Sequence, residues 1–114
     1  TKTTDTPLPG CDLSETDLGV MDLRGENLSR ANLGGATLRG AILTKANLTR
    51  SSLNKADLSS ELSLITYLKG VNLNSANLSG ANLFKADLDS AILTNAVFCH
   101  TRMPDGTVNN ISCN

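Results

Sequence analysis

The chain has 114 residues, a formal net charge of −1 and an aromatic content of only 3%, with no tryptophan. This length predicts one small domain, and the scarcity of aromatic side chains excludes an ordinary core filled by bulky rings. The balanced charge excludes the strong fields of a typical nucleic-acid-binding or highly acidic protein, and no apolar run approaches the roughly 20 residues that span a bilayer.

Residues 1–10 are the first segment of the chain. They are rich in threonine, include Pro7 and Pro9, and follow no repeating pattern. Such a composition predicts a flexible N-terminal lead or a loose cap rather than a regular element.

Residues 11–103 contain an internal repeat of five residues. Leucine recurs at every fifth position from Leu13 to Leu58 and again from Leu68 to Leu93, and Phe98 continues the series. Two places before the large apolar residue a small residue predominates, most often alanine, although Met21 and Glu26 also occupy this place. Aspartate or asparagine usually stands between the two. The repeating unit is therefore Ala, Asp or Asn, Leu, and two polar or small residues.

A period of five residues fits neither an α-helix nor a flat strand. On a helix, successive leucines would rotate by about 140° and spread around the circumference. On a flat strand, the odd period would send successive leucines to opposite faces. The pattern instead predicts a chain that bends at every repeat, so that four bends close a quadrilateral coil of twenty residues and nearly five coils stack into a solenoid. Leucine and alanine would line the axis, and the Asp and Asn side chains would bond the backbone of the turns.

The sequence resembles the pentapeptide-repeat family, as the runs at residues 31–38 (Ala-Asn-Leu-Gly-Gly-Ala-Thr-Leu) and 76–83 (Ala-Asn-Leu-Ser-Gly-Ala-Asn-Leu) illustrate. The resemblance covers about four-fifths of the chain. The resemblance implies an all-β fold, the right-handed quadrilateral β-helix. The right-handed winding is expected from the resemblance alone, because the five-residue spacing does not determine it.

The segment at residues 59–68 interrupts the pattern. Strict counting would place Ser63 on the axis and Glu61 in a buried alanine place, where an unpaired carboxylate is costly. We therefore predict a register slip in which Ser60, Glu61 and Leu62 form a small-acidic-leucine unit. Four residues would separate Leu58 from Leu62, six would separate Leu62 from Leu68, and the residues after Ser63 would form an outward bulge.

Stacking by twenty residues brings several apolar residues to one face. The predicted patch is a candidate surface for a protein partner or for self-association. The alternative is that Leu62 and Leu64 only pack into the local bulge. The patch consists of Ile42, Leu62, Leu64, Ile65 and Phe84.

The C-terminal segment, residues 104–114, begins with the turn signal Pro-Asp-Gly and is predicted to be a capping tail. A disulfide between Cys99 and Cys113 would close a loop of about 15 residues and stabilise the fold by about 3 kcal/mol. Cys11 occupies an inward alanine place and is predicted to be a buried thiol. No metal site is predicted, because His100 is the single histidine and no Cys-x-x-Cys spacing occurs.

A disulfide implies an oxidising compartment. In this respect the chain resembles the thylakoid-lumenal pentapeptide-repeat proteins of plants and cyanobacteria. The expected location is the thylakoid lumen of the chloroplast, with the cyanobacterial lumen or periplasm as the alternative.

No set of residues predicts catalysis, and neither a cofactor nor a small-molecule substrate is expected. The sequence favours a non-enzymatic structural or interaction module, a rigid rod that presents flat faces to an unidentified protein partner or to a second copy. Some members of the family mimic DNA and modulate DNA-binding enzymes such as gyrase, which is the alternative function. The scattered basic residues disfavour it, and no nucleic-acid partner is expected; they include Arg24, Arg39, Lys45 and Lys85.

Overall fold

The computed structural model describes residues 9–113, in which the chain winds into a β-helix. One residue of each repeat forms a parallel bridge, and its partner lies twenty residues later, as for Asp12 with Asn32 and Asn32 with Ser52. A regular coil therefore contains twenty residues and four bridging positions. The continuous strands in this part of the chain are two short ones, β1 (Thr101–Arg102) and β2 (Val108–Asn109).

The bridging residues align in four columns along the helix axis. Backbone hydrogen bonds connect the coils on both sides of each bridging residue: the Ser52 N–H donates to the Ala31 carbonyl at 2.9 Å, and the Ser52 carbonyl accepts from the Leu33 N–H at 2.7 Å. Two columns contain five residues and two contain four. They are Asp12, Asn32, Ser52, Asn77 and Val97; Asp17, Thr37, Asp57, Asn82 and Arg102; Asp22, Ile42, Tyr67 and Asp87; and Asn27, Asn47, Asn72 and Ile92.

Each corner of the coil is a β-turn that follows an inward leucine. In a typical corner, the Ala36 N–H donates to the Leu33 carbonyl at 3.0 Å, and Gly35 between them has a φ of 68°. A positive φ at the third position defines a type II turn and favours glycine. Most corners nevertheless have a residue other than glycine at this third position, as at Arg30 and Lys55. The bonds between coils must hold these residues in a conformation that is unfavourable for them in isolation.

The Asp or Asn of each repeat stabilises the corner that follows it. Its Oδ1 accepts a hydrogen bond from the backbone N–H two residues later, at 2.9 Å from Gly19 to Asp17 and at 3.0 Å from Ser79 to Asn77. Short polar side chains commonly bond nearby backbone in this way. The prediction that these residues support the turns is confirmed.

Leucine and alanine fill the interior, as predicted. Leu33, Leu48 and Leu83 are fully buried, and burial of each such side chain contributes about 1.5–3 kcal/mol before the entropy of ordering the chain is subtracted. In the first and last coils, Leu13 and Leu93 are only partly buried, because a neighbouring coil covers them on one side alone.

One coil contains twenty-five residues instead of twenty. Ile42 pairs with Tyr67, and Asp57 pairs with Asn82. The stacking by twenty residues that underlies the predicted apolar patch is therefore wrong for every pair that spans residues 61–65, and it resumes afterwards, as Tyr67 with Asp87 shows. The five additional residues, 61–65, leave the coil and form a projection that we call the hairpin.

The predicted register slip is also wrong. Leu62 does not point to the axis but is 99% exposed, and Glu61 and Ser63 are exposed with it. Ser60 remains in the coil, where it is 4% exposed. Expelling one complete repeat leaves Leu68 in register with the leucines before it and keeps a carboxylate and a hydroxyl out of the core.

The chain reverses direction after the last repeat. The Gly106 N–H donates to the Met103 carbonyl at 2.9 Å, and β2 then runs antiparallel along β1. Farther on, the Ser112 N–H donates to the Phe98 carbonyl at 2.9 Å. Residues 104–113 therefore lie along the part of the last coil that contains Phe98 and β1.

The structure tests the prediction for Cys11 but describes only the last two residues of the predicted N-terminal lead. Residues 1–8 of the predicted lead lie outside the described residues, as does Asn114 at the other end. Cys11 is a free thiol at an inward position of the first coil, but it is half-buried rather than buried. Between residues 9 and 113, no helix is long and apolar enough to cross a bilayer.

Candidate functional site

The hairpin is the main irregularity on the lateral surface of the β-helix. Glu61 and Leu64 form an antiparallel bridge in which the N–H of each donates to the carbonyl of the other at 3.0 Å. Leu62 and Ser63 form the tip. The base is closed by a hydrogen bond of 2.8 Å from the Thr66 N–H to the Ser60 Oγ. A short loop of this kind projects its tip residues into solvent, and Leu62 is almost completely exposed there.

One side of the hairpin rests on the preceding coil. Glu61 forms an ion pair with Arg39, whose Nε lies 3.9 Å from the Asp57 carboxylate. Leu64 covers Gly40 so closely that a methyl group at Gly40 would lie 2.5 Å from the Leu64 Cδ1. A polar and an apolar contact thus hold the hairpin against the β-helix.

The other side of the hairpin forms one wall of an open cleft of about 470 Å³. Leu62 and Phe84 provide its large apolar side chains. The Phe84 ring lies under the Arg102 guanidinium, with the Cζ atom 4.2 Å from the ring centroid, and the Lys85 Nζ lies 5.3 Å from it. These cation–π contacts hold the ring in place. The hairpin cleft is lined by Ser59, Ser60, Glu61, Leu62, Ser63, Asn82, Phe84 and Lys85.

The structure divides the predicted apolar patch into separate parts. Leu62 and Phe84 share the hairpin cleft. Leu64 lies on the opposite side and faces Val20, so the alternative of local packing describes it better. Ile42 belongs to a column of bridging residues in which its neighbour is Tyr67. The predicted patch is divided because residues 61–65 lie outside the coil. Every later residue therefore stacks one repeat away from the place that a count of twenty residues assigns to it.

The sequence did not predict that Ile65 would be half-buried. It also did not predict that Tyr67, which is 42% exposed, would lie on the surface beside Ile42. It also missed Arg39 as the partner of Glu61. The available signal was the Ser-Ser-Glu-Leu-Ser-Leu-Ile-Thr run itself. Removing five residues, 61–65, restores the small-polar-leucine pattern, because Thr66, Tyr67 and Leu68 then continue it directly.

A second irregular site lies at the C-terminal end. A disulfide joins Cys99 to Cys113, as predicted, with their Cα atoms 4.9 Å apart. It attaches the tail to the last coil. The tail also contributes the Asn110 Oδ1, which accepts the His100 backbone N–H at 2.7 Å.

The imidazole of His100 lies beside this disulfide. The Sγ atoms of Cys99 and Cys113 and a ring nitrogen of His100 all lie within 4.8 Å of one another. We call these three residues the cap cluster. Sequence spacing did not predict it, since the tail must fold back before Cys113 reaches the other two.

Comparison with known proteins identifies the class. The chain belongs to the pentapeptide-repeat family, because eight copies of the pentapeptide repeat match residues 27–60 and 66–103. The interruption between the two matched segments coincides with the hairpin. A comparison with curated proteins finds no match.

Several solved structures are similar to this chain. A pentapeptide repeat protein from the thylakoid lumen of Arabidopsis thaliana has 28% sequence identity and a TM-score of 0.54, over 90% of this chain and 68% of that one. A pentapeptide repeat protein from Nostoc has 31% identity and a TM-score of 0.42, over 75% of this chain and 62% of that one. One from the cyanobacterium Cyanothece 51142 has 25% identity and a TM-score of 0.43, with coverages of 83% and 86%.

Proposed function

We propose that this protein is a non-enzymatic interaction module, in which a rigid β-helix presents the hairpin and its cleft to a protein partner. The observation that carries the proposal is the 99% exposure of Leu62 at the tip of a hairpin whose base is fixed. Leu62 shares the hairpin cleft with the Phe84 ring, so a partner that fills the cleft can bury the two apolar side chains together.

The support beneath the hairpin strengthens this proposal. The ion pair of Arg39 with Glu61 and the packing of Leu64 on Gly40 restrain the hairpin before any partner binds. Association then loses less conformational entropy than it would with a mobile loop. Phe84, held by Arg102, supplies a rigid aromatic floor to the adjoining cleft. Aromatic residues in such pockets often contribute much of the binding energy of an interface.

The lining of the cleft favours protein binding over catalysis. Its polar groups are serine hydroxyls, one amide, one carboxylate and one ammonium. A serine nucleophile needs an adjacent base that is itself oriented by a third group. In the cleft, the Ser59 hydroxyl donates to the Asp57 carboxylate, and the Ser60 Oγ accepts the Thr66 N–H. Glu61 forms its ion pair with Arg39. These groups therefore support the hairpin and the corner, and the proposed role needs neither a cofactor nor a small-molecule substrate.

We propose that the protein resides in the thylakoid lumen of the chloroplast, with the cyanobacterial lumen or periplasm as the alternative. The disulfide of Cys99 and Cys113 supports an oxidising compartment. The similarity to the thylakoid-lumenal protein of Arabidopsis supports the chloroplast.

The proposed rod is a right-handed quadrilateral β-helix spanning residues 11–103, with a loose lead at 1–10 and a cap at 104–114. The four columns of bridging residues support four sides. With the hairpin outside the coil, columns of four and five residues support a length between four and five coils. The hand follows from the family resemblance.

The alternative role as a DNA mimic is not developed further. A mimic needs a continuous acidic surface, whereas Arg39 lies between Asp57 and Glu61, and Lys85 and Arg102 flank Phe84. Basic and acidic groups therefore alternate on the surface around the hairpin.

A photo-crosslinking experiment tests the proposal. A benzophenone amino acid replaces Leu62 in one variant and Ile111, which is 82% exposed on the tail, in the control. Each variant is irradiated in lumenal extract and as purified protein. We expect the Leu62 variant to form a discrete adduct with one partner, and Leu62→Ser to abolish capture by an affinity-tagged chain, while Ile111→Ser retains it. Equal labelling from both positions, or capture that Leu62→Ser leaves unchanged, would contradict the proposal.

A further inference from the structure

The cap cluster combines two cysteines and a histidine, which are residue types that bind metal ions once the disulfide is reduced. Cys99 and Cys113 offer two sulfur atoms and His100 offers a ring nitrogen, all within 4.8 Å of one another. His100 is exposed, and both cysteines are half-buried, so solvent reaches the group. The cluster lies on two segments, the last coil and the tail, which the backbone pairing of β1 with β2 already brings together.

The distances bring a zinc site within reach of the reduced cap. Zinc binds thiolate at about 2.3 Å and imidazole nitrogen at about 2.0–2.1 Å, so the ligand atoms around a tetrahedral ion lie about 3.5–3.8 Å apart. On reduction, the two Sγ atoms must separate from their bonded distance in the disulfide to about 3.8 Å, and the His100 ring nitrogen already lies within 4.8 Å of both. Rotation of the exposed His100 side chain and of the two cysteine side chains, whose Cα atoms are 4.9 Å apart, can supply these changes.

A fourth donor is present beside the cysteines. The Asn110 Oδ1 lies 3.5 Å from the Cys113 Sγ and accepts the His100 backbone N–H at 2.7 Å. An amide oxygen has two lone pairs, and only one is needed for the bond to His100. The second is free to coordinate a metal ion or to orient a water molecule at the fourth position.

We propose that the reduced cap binds one Zn²⁺ through the Cys99 and Cys113 thiolates and the His100 imidazole, with the Asn110 amide oxygen or water as the fourth ligand. A dithiol reductant supplies two electrons and two protons, which break the S–S bond and give two thiols, while the dithiol becomes a disulfide. Zn²⁺ then displaces one proton from each thiol as the two Zn–S bonds form.

Thiolate and imidazole ligands suit zinc, whereas calcium and magnesium prefer oxygen. Two thiolates also neutralise the charge of the ion, and the imidazole binds in its neutral form. The cap then has two alternative links between tail and coil, a disulfide when oxidised and a metal bridge when reduced. Either link holds the tail across the last coil.

Zinc binding to the full chain tests this proposal. The protein is reduced with a phosphine without oxygen, excess reductant is removed, and Zn²⁺ is titrated by calorimetry, with Co²⁺ absorption as a probe of tetrahedral thiolate coordination. We expect one ion per reduced chain and none per oxidised chain. His100→Ala and Cys113→Ser each remove a direct ligand, so each should weaken binding by more than the roughly 10-fold that loss of an outer-shell partner costs.

Two controls make the outcome decisive. Cys11→Ser removes the thiol at the other end of the β-helix and should bind zinc as the natural sequence does. Circular dichroism of each variant without metal verifies that the β-helix is intact. The proposal is overturned if the reduced chain binds no zinc, if Cys11→Ser abolishes binding, or if His100→Ala binds zinc with unchanged affinity.

Discussion

The Thr66 hydroxyl bridges two backbone groups that a regular coil would join directly. It accepts a hydrogen bond from the Gly40 N–H at 2.9 Å and donates one to the Ser59 carbonyl at 2.9 Å. At the equivalent corner one coil earlier, the Val20 N–H donates to the Arg39 carbonyl at 3.1 Å. The side chain of Thr66 therefore replaces the backbone hydrogen bond between neighbouring coils that the hairpin interrupts.

Replacing Thr66 by valine should test this repair. The change removes a fully buried hydroxyl and leaves the Gly40 N–H and the Ser59 carbonyl without partners. An unsatisfied buried polar group costs about 1–3 kcal/mol, and we expect a loss of that size in the free energy of unfolding measured with urea. Thr101→Val is the matched control, because its hydroxyl only donates to the Leu78 carbonyl, which also accepts the Ala81 N–H. Equal losses in both variants would refute the bridging role.

Deleting residues 61–65 should leave the β-helix folded. Ser60 would then precede Thr66 directly, and the sequence would continue in unbroken repeats with the Gly40 N–H facing the Ser59 carbonyl. We expect an unchanged far-ultraviolet spectrum and a free energy of unfolding within about 1 kcal/mol of the full chain. Deleting residues 62–65 instead leaves Glu61 as one extra residue in the coil. The free energy of unfolding should then fall by more than about 2 kcal/mol, because a carboxylate is forced toward the core. Loss of the fold in the five-residue deletion would contradict the assignment of the hairpin as one expelled repeat.

Gly40→Ala should be more harmful than Gly25→Ala. Both glycines have a positive φ, of 77° and 67°, so each substitution carries a similar backbone penalty. Only at Gly40 would the added methyl group meet Leu64, whereas no atom of the described residues lies within 4 Å of a methyl group at Gly25. We expect an additional loss of about 1–2 kcal/mol at Gly40. In the chain without residues 61–65, the difference should shrink to the small contribution of Val20, whose Cγ1 would lie 3.0 Å from the added methyl group. An undiminished difference there would exclude the hairpin as its source.

The turn at Asp105 should weaken in acid. Hydrogen bonds from the Thr107 hydroxyl at 2.6 Å and the Thr107 N–H at 3.0 Å hold the pKa of the Asp105 carboxyl below its ordinary value of 3.8. A lowered folded pKa means that the stabilisation is present above 3.8 and disappears as the pH falls through the lower value.

Nuclear magnetic resonance titration checks this shift. In Thr107→Val, the pKa of Asp105 should rise toward its ordinary value because the largest cause of the shift is removed. The pKa of Asp12, which is lowered mainly by the Ser14 hydroxyl at the other end of the chain, should stay unchanged. An unaltered Asp105 titration would show that Thr107 is not the cause.

The sequence was sufficient to predict the β-helix because one physical constraint repeats along nearly all of the chain. The leucines at the repeat positions, such as Leu33 and Leu48, must all face the same axis, and only a chain that bends every five residues achieves this. The Cys99–Cys113 pair could also be predicted, since the turn at Pro104 returns the tail to the last coil.

The hairpin could not be predicted as reliably, because two solutions satisfy the same local pattern. Ser60, Glu61 and Leu62 fit a small-acidic-leucine unit, and this favoured a slip that kept Leu62 inside. The deciding cost is nonlocal. A slip disrupts the hydrogen bonds to the coils on either side, whereas expelling a complete repeat interrupts a single bond, which the Thr66 hydroxyl replaces. The cap cluster depended on tertiary geometry in the same way, since His100 meets Cys113 only in the folded chain.

The closed base of the hairpin suggests a use in protein engineering. Ser60 and Thr66 are held together by their own hydrogen bond while the residues between them stand outside the coil. A foreign peptide grafted between these two positions would begin and end at neighbouring points, and the entropy of closing a loop grows only slowly with its length. The rod is therefore a natural display scaffold whose core does not depend on the length of the peptide it carries.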